Sequence, residues 1–110
     1  LPVTCTVAVS TTHTTVLEPI HVDVRVRNTS DAVADLVLTV DETDDFGIDG
    51  FQGRLAVSML LPQEHRTFPL TLWPKRPGPL VLPRVHAWDR EASEVPVDLT
   101  APAIVHVASQ

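Results

Sequence analysis

The segment Phe46–Pro83, FGIDGFQGRLAVSMLLPQEHRTFPLTLWPKRPGPLVLP, decides the fold. Two apolar runs, Leu55–Leu61 and Phe68–Trp73, are joined by the polar corner Pro62-Gln63-Glu64-His65. The Pro77-Gly78-Pro79 knot then leads into a third run, Leu80–Trp88. Apolar runs of this length between turn residues read as strands of an antiparallel sheet. Pro69 shares the outward side with Thr67, Thr71 and Trp73, which predicts an edge strand or a bulge there. Pro83 predicts a second bulge.

Upstream, His21-Val22-Asp23-Val24-Arg25-Val26-Arg27 is the cleanest alternation in the chain. Its valines face a core and its polar residues face water, so one face of this sheet is wet. Val3–Val9 alternates in the same way, with Val3, Cys5, Val7 and Val9 on one side. Val33–Val40 reads as another strand with Leu36, Leu38 and Val40 inward, and Ala103–Ala108 as the last. Ser10–Thr15, Asp41–Gly53 and Asp89–Pro102 read as loops, and Asn28-Thr29-Ser30-Asp31 as a turn whose side chains bond nearby backbone. The expectation is a seven-stranded antiparallel β-sandwich of the immunoglobulin or fibronectin-III type, occupying residues 1–110 as one domain.

Composition agrees. The chain has 110 residues, enough for one core and too few for two. Its ten prolines argue against long helices. A net charge of −6 argues against nucleic acid and anionic membrane surfaces, whose binding depends on Lys and Arg. No apolar stretch is long enough to span a bilayer. The single cysteine, Cys5, cannot form an internal disulfide and points to a reducing compartment or a sandwich that needs no bridge. Because the chain starts in a strand-like run without Met, it is expected to be a domain of a larger protein.

One ordered pattern goes beyond generic sandwich. Val26-Arg27-Asn28-Thr29-Ser30-Asp31 is followed by an aliphatic strand ending in Val40-Asp41, then an acidic loop with Phe46 and a Gly. Leu60-Leu61-Pro62, Leu72-Trp73-Pro74, Gly78, Leu82-Pro83 and the terminal strand Ile104–Val107 follow in order. Over residues 22–107 this resembles the C-terminal region of the foie gras/gryzun subunit, the eleventh, of the TRAPP vesicle-tethering complexes. The resemblance implies a non-catalytic domain at the end of a large subunit, serving a complex that tethers ER-to-Golgi vesicles and activates a Rab GTPase. It implies partners among the other subunits or neighbouring domains of the parent chain, and a cytoplasmic location peripheral to Golgi and ER–Golgi membranes. No enzymatic activity and no cofactor are expected.

The candidate sites are few. Trp73 and Trp88 fall by parity on polar sides of their strands, near Arg84, Lys75 and Arg76. Exposed Trp beside Arg or Lys is the composition of a binding hot spot, so these five residues are the candidate partner surface. The competing reading folds either indole back over the sandwich edge. The acidic loop, with Asp41, Asp44, Asp45 and Asp49, is a weak Ca²⁺ candidate: hard cations want several carboxylates, but an EF-hand counted from Asp45 has Ala56 at its twelfth position. A solvated loop that discourages edge association is the plainer explanation. Of the five histidines, His86 and His106 are expected to face each other across neighbouring strands. Cys5 reads as a buried hydrophobe, and neither Ser58 nor Ser93 has a discernible triad partner. Asn28-Thr29-Ser30 is a formal glycosylation sequon, relevant only to a secreted protein. That bears on the alternative function, an extracellular adhesion sandwich with Ca²⁺ in the acidic loop. A carbohydrate-binding accessory domain is disfavoured by the absence of Tyr.

Overall fold

The computed structural model describes residues 3–51 and 53–110; Leu1, Pro2 and Gln52, the last within the stretch read as a loop, lie outside the described residues. These residues form twelve strands and no helix. One layer is a five-stranded sheet of β1 (Val3–Val9), β3 (Ile20–Asn28), β5 (Phe46–Asp49), β7 (His65–Pro74) and β11 (Val97–Leu99), ordered β11-β1-β3-β7-β5. A four-stranded sheet contains β4 (Ala34–Val40), β6 (Arg54–Leu60), β9 (Val85–Trp88) and β10 (Glu94–Val95), ordered β10-β9-β4-β6. A three-stranded sheet contains β2 (His13–Thr15), β8 (Gly78–Val81) and β12 (Ile104–Ala108), ordered β2-β12-β8. Inward side chains of all three sheets meet in a single hydrophobic cluster.

β3 shows why. Ile20, Val22, Val24 and Val26 are buried, whereas His21, Asp23, Arg25 and Arg27 are exposed, as the alternation requires. Leu36, Leu38 and Val40 of β4 are buried too. Fully removing a side chain of this size from water stabilises by about 1.5–3 kcal/mol, and the same gain is repeated on the other strands that feed the core.

Prolines mark the places where the chain changes sheet. The run expected as one strand over residues 80–88 breaks at Leu82-Pro83-Arg84: β8 belongs to the three-stranded sheet and β9 to the four-stranded one. Pro96 does the same between β10 and β11. Pro69 lies two residues beyond the last β5–β7 pair, Asp49 with Thr71, so β7 is an open edge at Pro69 and an internal strand after it. The edge expectation holds for half the strand.

Three sequence readings are corrected. β2, β5, β10 and β11 lie in stretches read as loops, because strands of two to four residues carry too few positions for an alternation to show. The sheets are not wholly antiparallel, since β1–β11 and β12–β2 pair in parallel. And the break at Pro83 separates His86 from His106, which stacks instead on His13 of its own sheet, with ring centroids 5.2 Å apart.

Candidate partner-binding surface

The corner between β6 and β7 crosses from one layer to the other, and a buried polar residue pins it. Asn28, at the end of β3, is 0 % exposed. Its Nδ2 donates to the Ala32 carbonyl at 2.7 Å and to the Leu60 carbonyl at 2.9 Å. Its Oδ1 accepts from the Ser30 amide and the Ser30 hydroxyl. Its backbone amide donates to the Glu64 carbonyl, and its carbonyl accepts from the Gln63 amide. The amide that a glycosylation sequon needs is therefore spent inside the protein. Arg66 closes the same corner: it donates to the Glu64 carboxylate and to the Ser58 and Met59 carbonyls on the outer edge of β6. Glu64, hydrogen-bonded first by Arg66 and then by the Leu61 amide, is held below the usual carboxylate range.

On this frame Trp73 projects outward from β7, 40 % exposed, between the buried Leu72 and Pro74. Gly47 is its cross-strand partner on β5. A Cβ on Gly47 would stand 3.7 Å from that of Trp73 and 3.9 Å from Cε of Lys75, so the indole and the lysine flank the bare backbone of the glycine. Arg76 follows, its Nε donating to Asp45 Oδ1 at 2.7 Å, while the Lys75 amide donates to the Asp45 carbonyl. That hydrogen bond holds the Asp45 carboxyl below its ordinary value. The fold thus brings Trp73, Lys75 and Arg76 to one edge, beside the acidic loop.

Trp88 is elsewhere. It lies on the outer face of the four-stranded sheet, half-buried, with Nε1 donating to Thr39 Oγ1 at 3.1 Å and the ring stacked on His86. His86 Nδ1 is 2.9 Å from Glu94 Oε1, and its Nε2 is 3.1 Å from Asp41 Oδ1. The two carboxylates, Glu94 first, favour the imidazolium and raise the His86 pKa. Arg84 is exposed, with its guanidinium in no ion pair among the described residues. The five candidate residues therefore divide: Trp73, Lys75 and Arg76 form one patch and Trp88 a second, where the charge of Arg84 acts on the neighbouring His86.

The four aspartates do not converge. Asp41 turns to His86, Asp45 to Arg76, and Asp49 Oδ1 accepts the Gly50 amide. Among the described residues no group of three or more His, Cys, Asp or Glu side chains is placed to hold a metal ion. Cys5 is fully buried, and burial, with Asp98 adding to it, pushes its thiol up to about 11, the opposite of what a nucleophile requires. Sequence reasoning missed Asn28 as a buried anchor and Arg66 as an edge cap. The first carried a signal: a turn Asn directly after a buried–exposed alternation falls on the buried side.

No curated protein matches the chain. Among solved structures, a non-cellulosomal cohesin from the hyperthermophilic archaeon Archaeoglobus fulgidus is similar to it at 13% identity and a TM-score of 0.42, covering 96% of this chain and 92% of the other. The family model that matches, over residues 11–95, is described as Trafficking protein particle complex subunit 13, C-terminal. The TRAPP resemblance read from the motifs thus holds, and the matching model is that of subunit 13 where the motifs pointed to the eleventh. With most of its length inside that match, the chain belongs to the family of C-terminal domains of TRAPP trafficking-complex subunit 13.

Proposed function

We propose that this chain is a non-catalytic interaction and assembly domain, lying at the C-terminal end of a larger TRAPP subunit and serving ER-to-Golgi vesicle tethering. Its partners are other subunits of the complex or neighbouring domains of the parent chain, on the cytoplasmic side of Golgi and ER–Golgi membranes. Family membership supports the complex. Layered sheets packed on one core, with no helix among the described residues, support an immunoglobulin- or fibronectin-III-like frame.

The observation that carries the interface is Trp73, exposed on a paired stretch of β7, flanked by Lys75 and backed by Gly47. An indole held on a rigid sheet loses little freedom on binding, and Trp and Arg dominate hot spots. In the full-length subunit, Trp73→Ala should weaken association with the complex by about 2 kcal/mol or more, roughly thirtyfold. Melting should stay within about 0.5 kcal/mol of the parent, as for other surface changes. Undiminished co-purification of the variant with the complex would remove Trp73 from the interface.

The alternative, an extracellular adhesion sandwich with Ca²⁺ in the acidic loop, has two sets of contacts against it. The Asn28 amide is committed to Ala32 and Leu60, and Asp41 and Asp45 are committed to His86 and Arg76.

A further inference from the structure

Where Pro83 and Pro96 carry the chain from sheet to sheet, the edge of the sandwich opens into an apolar cleft of about 560 Å³. Val7, Val22 and Leu72 line one wall; Val40, Val85 and Val95 line the other. The lip is apolar as well, with Val81 60 % and Leu99 38 % exposed. Most of these wall side chains belong to the packed core, with Val22 3 % and Leu72 2 % exposed, so the cleft is a groove open to solvent along its lip. Its volume is that of a ligand site, roughly 300–1,000 Å³.

The lining narrows the ligand class. Among the described residues it includes no aromatic and no Ser, Thr, Asn or Gln, so these offer neither a stacking surface nor a neutral side-chain hydrogen-bonding group. An inserted peptide would strand its own amides and carbonyls there, which is costly. A plain aliphatic chain would not. Among the described residues of the lining, the ionisable ones are Arg84 and Glu94. Glu94 is engaged by His86 at 2.9 Å, whereas the Arg84 guanidinium forms no ion pair among the described residues. The geometry points to a binding site for one long-chain fatty acid, its alkyl chain lying along the cleft and its carboxylate on Arg84.

The test uses the delipidated chain and cis-parinaric acid, a fluorescent fatty acid, displaced in turn by palmitate and by 1-hexadecanol. Saturation at one probe per chain is expected, with both competitors displacing it. Arg84→Ala, a surface change, should weaken palmitate by on the order of tenfold, the loss of one charge-assisted contact, and leave hexadecanol unaltered. Val97→Phe, at a half-buried lining position, should weaken both. Non-saturating uptake would overturn the proposal, as would palmitate affinity unchanged in Arg84→Ala. Stronger displacement by an apolar decapeptide than by palmitate would also overturn it, by showing that the cleft seats a chain segment.

Discussion

Replacing Asn28 by alanine tests the corner that joins the two layers. The side chain makes four hydrogen bonds from a fully buried position, two of them donated to the Ala32 and Leu60 carbonyls. A buried hydrogen bond contributes about 1 kcal/mol net, and a carbonyl stranded without a partner costs about 1–3 kcal/mol. Leu60 lies in β6 of the four-stranded sheet and Asn28 in β3 of the five-stranded one, so the bond between them ties layer to layer. Ser30 can turn to solvent when its acceptor goes; Leu60, fully buried, has less recourse. The expected loss is on the order of 3–5 kcal/mol, a large part of the roughly 5–15 kcal/mol that holds a domain together. Urea unfolding followed by tryptophan fluorescence reads it, with Arg27→Ala on the exposed face of the same strand as a control near zero. Asn28→Asp should lose as much at neutral pH and recover part of it on acidification, because only the protonated acid can donate. A loss below about 1 kcal/mol for Asn28→Ala would refute the anchoring role.

Three further outcomes follow from local geometry. Gly50 has φ +124° and a Cβ there would stand 2.7 Å from the Pro69 carbonyl oxygen, so Gly50→Ala should cost on the order of 1–3 kcal/mol by urea unfolding. His86 has a folded pKa raised above its ordinary 6.5, so its contribution is complete below that value and is lost as pH rises through the folded one. Stability measured from mildly acidic to mildly alkaline pH should therefore fall through that window in the parent and flatten in Glu94→Gln combined with Asp41→Asn. Cys5 should resist thiol reagents in the folded chain at neutral pH and react at once in urea; prompt modification of the native state would contradict its burial.

How far the sequence carried the fold depended on strand length. β3 was legible because nine residues repeat one alternation, and β1 and β4 because seven do. β5 was hidden, since Phe46-Gly47-Ile48-Asp49 mixes a core aromatic with turn residues and takes its strand state from pairing with β7. The outward phase of Trp73 survived Pro69, because the pairing of β7 with β3 runs unbroken from Ile20–Leu72 to Arg27–His65. The pairing of His86 with His106 did not survive Pro83, where the chain leaves one sheet for another. The acidic loop looked unpaired because its counter-charges, Arg76 from the β7–β8 turn and His86 from β9, are distant in sequence. That is tertiary information no local pattern holds.

Lys75 offers the most direct test of the interaction reading, because it is the only lysine in the chain and sits beside Trp73. An amine-reactive cross-linker applied to the assembled complex, followed by mass spectrometry, reports on this patch alone within the domain. Cross-links from Lys75 to another subunit or to a neighbouring domain of the parent chain are expected, lost on Trp73→Ala. Lys75 labelled only by hydrolysed, unlinked reagent in the intact complex would place the surface in open solvent and contradict the account.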